Sequence, residues 1–281
     1  MTAPALPRAE ALFLPAISGQ RFCLYHAPAG DCHAALVYLH PFGDEMNKAR
    51  RMVALQARAL AAQGVAVLQI DLHGCGDSSG EFGDASWAGW KADAALAAIW
   101  LRARVQRPVG LWGLRLGALL ALDCARDPAF ACAELLLWQP VTSGSTFLTQ
   151  FLRMKMANQM LAEGGEKSST KVLREQLRSG DTMEVAGYDL TPAMADALDA
   201  LDLAALTVTS CPVHWFEVVA EEGRPLSPVA ARAVAAWQQA GVALQQYLVP
   251  GLPFWATQEI SECPPLLAAT CEALAEDLHA V

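Results

Sequence analysis

Charge is scarce in this sequence, and basic charge scarcer still. Asp, Glu, Lys and Arg make up 17% of 281 residues, against 54% hydrophobic types. Such a composition excludes a disordered chain and supports a large buried core. The net charge of −9 leaves no basic excess for nucleic acid or an anionic membrane as the main partner. A small anionic ligand stays possible, because a local field can oppose the net charge. No stretch is long and apolar enough for a transmembrane helix, since the longest charge-free runs, such as 233–258, are broken by Gln, Gly and Pro. The opening MTAPALPRAEALFLPA has neither a basic start nor a continuous apolar segment, so no secretory signal is expected there. The eight cysteines, at 23, 32, 75, 124, 132, 211, 263 and 271, form no Cys-x-x-Cys pair and no metal-like cluster with histidine. Reduced thiols, a cytoplasmic location, no metal and no cofactor are the resulting expectations.

What the chain does have is an alternation of apolar runs and amphipathic helices. Residues 11–18 and 20–28 read as an antiparallel hairpin turning at Ser18-Gly19. The runs AALVYLHP (34–41), VAVLQIDL (65–72), PVGLWGL (108–114), AELLLWQP (133–140), PVHWFEVV (212–219) and ALQQYLVP (243–250) read as strands, most of them buried on both faces. Helices are expected at about 47–63, 86–106 with Ser86 as N-cap, 115–127, 227–241 and 258–279. This rhythm predicts a single α/β domain over 1–281, a mostly parallel sheet covered on both faces. Between 144 and 205 the pattern is helical only, with a polar stretch at Glu163–Lys171, and predicts a helical cap inserted over the sheet.

The segment Leu111-Trp112-Gly113-Leu114-Arg115-Leu116-Gly117-Ala118 passes from a strand through a glycine-flanked turn into an apolar helix. Side chains at the two glycines would collide with neighbouring backbone, and the middle residue would be presented at the carboxyl end of the sheet, as on a nucleophile elbow. A glycine-lined junction without catalysis fits the same residues. The strand ending Tyr38-Leu39-His40-Pro41-Phe42-Gly43 stands where an oxyanion-hole loop would be. With Asp71-Leu72-His73-Gly74-Cys75-Gly76-Asp77-Ser78 after the next strand, the chain resembles the α/β-hydrolase superfamily over nearly its whole length. More narrowly, HPFGDEMNKARRM, DLHGCGDSSGEF and WGLRLGALLA resemble the exosortase A system-associated hydrolase 2 family. That resemblance implies a setting among bacterial exopolysaccharide and protein-sorting (PEP-CTERM) genes, not a reaction.

A serine triad cannot be carried over. The nucleophile position holds Arg115, which stays protonated and cannot attack a carbonyl. No histidine follows the last strand near Val249–Trp255, and His279 belongs to the final helix. Glu221 and Glu222 stand where the acid would follow strand 212–219, with no histidine to orient. What remains at the carboxyl ends of the strands is a polar set: His40 and Glu45, then Asn47, Lys48, Arg50 and Arg51; Asp71, His73, Cys75 and Asp77; and Gln139, Glu217 and Glu221. His40, Asp71, His73 and Cys75 are the candidates for catalysis, each with a structural alternative: a loop pin for His40 and Asp71, an inert buried thiol for Cys75. Arg115, the backbone N–H groups of Leu116 and Phe42, Glu45 and Glu221 are the candidates for ligand contact, with an internal salt bridge from Arg115 to Glu45, Asp71 or Glu221 as the alternative. Trp87, Trp90 and Trp100 on one helix read as core. Gly74-Cys75-Gly76 follows a strand, but the next glycine, Gly80, is misplaced and no helix starts there, so it is no dinucleotide fingerprint. Two functions are expected to compete. One is a pseudohydrolase holding an anionic small molecule, saccharide or lipid precursor, or a partner segment. The other is an ester or acyl hydrolase or transferase acting through a water activated by His40 or His73.

Overall fold

A computed structural model describes residues 9–161 and 169–279. Residues 163–168 of the polar stretch lie outside them, as does the side chain of His279. The elements follow the expected rhythm: β1 (Glu10–Pro15), β2 (Gln20–His26), β3 (Ala34–Leu39), α1 (Asp44–Ala62), β4 (Val65–Ile70), α2 (Trp87–Val105), β5 (Gly110–Leu114), α3 (Leu116–Ala125) and β6 (Leu135–Trp138). After an intervening segment come β9 (Val213–Val219), α7 (Pro228–Gln239), β10 (Leu244–Pro250) and α8 (Pro264–His279). One eight-stranded sheet runs in the order β1-β2-β4-β3-β5-β6-β9-β10. The β1–β2 hairpin joins it antiparallel to β4, and every other pairing is parallel.

Alternate residues of each central strand feed opposite faces. Val37, Leu39, Leu111, Leu135 and Trp215 enter one apolar layer with residues of α2, α3 and α7. Leu36, Tyr38, Trp112, Leu136, Trp138 and Phe216 enter a second with residues of α1 and α8. This two-sided burial explains why the strands read as continuous apolar runs. Helix α3 is buried from Leu116 through Leu122, as its all-round apolar sequence requires. Ser86 caps α2 by accepting from Gly89 N–H at 3.1 Å.

The segment 144–205 contains α4 (Gly144–Leu161), α5 (Thr170–Arg178), α6 (Pro192–Asp199) and a 3-10 turn at Leu203–Ala205. It is not helical only. A hairpin of β7 (Met183–Val185) and β8 (Tyr188–Leu190) pairs with itself, outside the main sheet. Its signal was short: Met183 and Val185 buried around exposed Glu184, then Ala186-Gly187 at φ 52 and 87, the left-handed pair of a two-residue turn. The segment's two ends meet, Gly144 N–H donating to Leu201 O at 2.9 Å and Leu203 N–H to Thr142 O at 3.1 Å. Inside it, Arg174 reaches Asp199 Oδ1 at 2.7 Å and Thr149 Oγ1 at 2.8 Å. The last helix starts at Pro264 rather than near 258, because residues 251–263 form an irregular loop and Pro264-Pro265 fits only a first helical turn.

Both elbow glycines are required by backbone. A Cβ on Gly113 would lie 2.4 Å from Gly117 O, and one on Gly117 2.2 Å from Leu39 O. The α3 start is thus pressed against the end of β3. Gly117→Ala is expected to destabilise by about 1–3 kcal/mol, the usual cost of overpacking. Urea unfolding checks this, and an unchanged midpoint would mean that the two segments are not in contact.

Candidate functional site

Arg115 sits between β5 and α3 at φ 56 and ψ −114, a conformation sparsely populated by side-chain-bearing residues. The turn is over-determined by hydrogen bonds: Arg115 N–H donates to Trp138 O at 2.9 Å, and Arg115 O accepts from Ala118 N–H at 3.1 Å. This is the elbow geometry, and it turns the Arg115 side chain into a cleft at the carboxyl ends of the strands. Leu116 opens the helix behind it, so its N–H is among the donors that the helix itself leaves unused.

Two groups hold the guanidinium. Arg115 Nε donates to Glu45 Oε1 at 3.3 Å, with the side chains only 19% and 22% exposed. Trp255 lies under the plane, its ring centroid 5.6 Å from Cζ, within cation–π range. Trp255 comes from the loop after β10, the stretch in which a base histidine would be sought. Of the three proposed partners for Arg115, the structure therefore brings in Glu45 and leaves Asp71 and Glu221 elsewhere. No described protein group accepts from Nη1 or Nη2, so most of the five guanidinium donors stay available. Glu45 Oε2 is buried without a hydrogen-bond partner. Burial pushes the Glu45 carboxyl above its ordinary range, and Arg115 pulls it back down.

Arg115 lines two lobes of the cleft, and a third shares other residues with them. The first, of about 220 Å³, is lined by Phe42, Phe147, Phe151, Met154 and Trp255, with Asp44, Glu45, Lys48 and Arg115 at its polar side. The second, of about 260 Å³, shares Arg115, Phe147 and Gln150 with the first and adds Gln139, Thr142, Ser143, Thr146, Glu217 and Ser227. The third, of about 680 Å³, extends from Gln139, Glu217 and Trp255 towards Arg224 and Leu252. Gln139, at φ 43, donates to Glu217 Oε1 at 3.0 Å and accepts from Val218 N–H at 2.7 Å. Glu217 Oε2 accepts from Trp215 Nε1 at 2.9 Å. Burial raises the Glu217 carboxyl, while Trp215, Gln139 and Arg115 draw it back.

The catalytic candidates from the first two loops lie behind this cleft rather than in it. His40 is buried, with Nδ1 2.7 Å from Pro41 O and Nε2 accepting from Leu72 N–H at 3.2 Å. Both ring nitrogens are used, which fixes the neutral Nδ1–H tautomer, and burial lowers the pKa. Asp71 Oδ2 accepts from Arg50 at 3.2 Å and from Asp77 N–H at 3.0 Å, pinning its own loop. The His73 ring faces Gly80, where a Cβ would meet its Nε2 at 2.3 Å, and the backbone N–H of His73 donates to Asp93 Oδ2 at 2.8 Å. Asp93 also holds Arg21 at 2.7 Å in a buried ion pair, a loop anchor that sequence reasoning missed. Cys75 is buried, and desolvation, with Asp71 and Asp93 adding to it, pushes its thiol up to about 12. Phe42 joins an aromatic cluster with Phe82, Trp90, Phe147 and Phe151. Glu221 is exposed in the turn after β9 and lines none of the three lobes.

No histidine lines the cleft among the described residues. Its hydroxyls are not nucleophile-like either: Ser227 caps α7 through Ala230 N–H and Ser143 accepts from Thr146 N–H, both at 3.2 Å. Among the described residues no three His, Cys, Asp or Glu side chains gather as metal ligands, and no helix is long and apolar enough to cross a membrane. Sequence reasoning missed Trp255 and the α4 aromatics. Phe147 and Phe151, one helical turn apart, carried the only signal for the latter.

The parallel order, the elbow and the helical layers define the α/β-hydrolase fold. Solved structures agree. Est1E from Butyrivibrio proteoclasticus with bound ferulic acid is similar at TM-score 0.66 and 17% identity, covering 95% of this chain and 98% of its own. A thermostable carboxyl esterase from Bacillus coagulans, in complex with glycerol, is similar at TM-score 0.64 and 13% identity, covering 97% and 99%. A serine hydrolase homologue from Coxiella burnetii is similar at TM-score 0.58 and 16% identity, covering 98% and 99%. No protein-family model and no curated protein matches the chain.

Cys75 is expected to react with iodoacetamide near neutral pH far more slowly in the native than in the denatured protein. Cys23 and Cys124 share its shift to about 12. A thiol raised on folding stabilises fully below its unfolded pKa of about 8.5, and that contribution is lost as pH rises towards the folded value. Unfolding free energy should therefore fall between pH 9 and 11, and fall less in Cys75→Ala. A flat alkaline profile would contradict the burial of these thiols.

Proposed function

We propose that this chain binds an anionic group of a small molecule at Arg115 and carries out no serine-based ester hydrolysis. The carrying observation is a guanidinium on the elbow, held over the Trp255 ring, with a single N–H committed to Glu45. Negative charge there also meets the α3 N-terminus and the Leu116 N–H. Among the described residues nothing in the cleft can serve as a serine–histidine pair. The resemblance of three sequence blocks to the exosortase-associated family favours a cytoplasmic role beside exopolysaccharide assembly, with a saccharide or lipid precursor as ligand. Est1E with bound ferulic acid and the carboxyl esterase in complex with glycerol are consistent with a small organic ligand.

A second reading, a hydrolase or transferase acting through an activated water, rests on Glu45. Its raised carboxyl and unpartnered oxygen suit a general base, since His40 is bonded at both ring nitrogens and the His73 ring faces Gly80 rather than the cleft. Arg115 ion-pairs the same carboxylate and opposes its taking up a proton, so binding without turnover is preferred.

The test combines labelling, turnover and binding. Fluorophosphonate should label no serine, and aryl esters should turn over no faster with wild type than with Glu45→Gln. Phosphate, sulfate and carboxylate ligands should raise the melting temperature. Arg115→Ala should weaken the best of them roughly ten- to a hundred-fold, the worth of one charge-assisted hydrogen bond, with Arg115→Lys between. Equal binding by wild type and Arg115→Ala would remove arginine from the site. Stoichiometric labelling of a serine would overturn the non-hydrolytic reading.

A further inference from the structure

The cleft is chemically divided, and Arg115 stands at the division. On one side the first lobe is walled by Phe42, Phe147, Phe151, Met154 and Trp255. Phe147 and Phe151 stack at 6.4 Å with an interplanar angle of 11°, presenting a flat apolar wall. On the other side the second lobe is walled by Thr142, Ser143, Thr146 and Ser227, with Gln150 between the two. Ser143 and Ser227 already accept from backbone N–H groups, which leaves their hydroxyl hydrogens to donate. Arg115, Phe147 and Gln150 line both lobes, so a ligand held at the guanidinium can enter both at once.

This layout restricts the kind of anion. A carboxylate or a sulfate ester is terminal, so two arms would have to branch from the carbon beside it rather than from the charged group. An acid whose charged group itself joins the two arms, one in the apolar lobe and one in the hydroxyl-lined lobe, carries two ester bonds and still holds a charge. Among common biological acids a phosphodiester does this. Building on the anion-binding reading above, we propose that the site takes a phosphodiester joining an apolar arm to a polyhydroxylated one. The phosphate lies on Arg115, the apolar arm against the α4 aromatics and the polyol among the hydroxyls of residues 142–146. The spare Nη donors of Arg115 suit the two non-bridging oxygens.

Three synthetic diesters of equal charge test this by calorimetry: octyl glyceryl phosphate, octyl methyl phosphate and glyceryl methyl phosphate. The first should bind roughly ten-fold tighter than either of the others, since each lost arm removes hydrogen bonds or buried apolar surface. Thr146→Val and Met154→Gln alter exposed positions, so their folding should hold. Thr146→Val should weaken the glyceryl diesters and leave octyl methyl phosphate unchanged. Met154→Gln should do the reverse. If octyl methyl phosphate binds as tightly as octyl glyceryl phosphate, or glyceryl methyl phosphate does, the two-armed ligand is wrong while anion binding at Arg115 stands. If none of the three binds while inorganic phosphate does, the diester is likewise excluded. If no anion binds at all, both readings fall.

Discussion

The backbone at Arg115 is held in a left-handed turn by close approach on every side. Gly113 lets the α3 backbone come to within contact of β5, and Gly117 lets the end of β3 lie against α3. The Arg115 amide is tied to Trp138 O on the neighbouring strand. A non-glycine residue in such a region costs on the order of 1–3 kcal/mol, and it persists only where the surroundings dictate it. Strand order follows from the same packing: β3 and β6 both flank β5, so the loops after β3 and β6 converge on the elbow. Glu45 and Phe42 arrive by the first, Gln139 and Thr142 by the second.

Placing arginine at that turn changes what the site can do. A hydroxyl there would need a base across the cleft; a guanidinium needs a counter-charge and a surface. Glu45 supplies the first from α1, and Trp255 the second from the loop after β10. A half-buried ion pair at 3.3 Å with one carboxylate oxygen unpartnered is weakly committed. Only Nε meets a single Glu45 oxygen, so a ligand anion can share the guanidinium without breaking a buried bidentate pair. Polar groups just behind the cleft stiffen it instead. His40 joins the loops after β3 and β4, and Asp71 and Asp93 fix the second of these.

Much of the fold was legible because strands buried on both faces and glycine-flanked turns leave strong local patterns. Ala34–Leu39 and Gly110–Leu114 are apolar throughout, and Gly113 and Gly117 bracket one residue. The hairpin at Met183–Leu190 was harder to see, since three-residue strands give almost no periodicity. The site was half legible. Arg115, Glu45 and Phe42 could be placed by their distance from strand ends. His40, Asp71, His73 and Cys75 share that sequence position, yet none lines the cleft: hydrogen bonds hold His40 and Asp71 in the loops, the His73 ring faces Gly80, and Cys75 is buried. Trp255 was hidden because its contact with Arg115 spans 140 positions and depends on an irregular loop.

The most direct measurement is a crystal structure of the chain grown with a phosphate ester. The account predicts an intact ester whose non-bridging oxygens lie within hydrogen-bond distance of Arg115 Nη1 and Nη2, with Trp255 still under the guanidinium. Arg115 turned fully onto both Glu45 oxygens, with the cleft free of ester at saturating concentration, would contradict it.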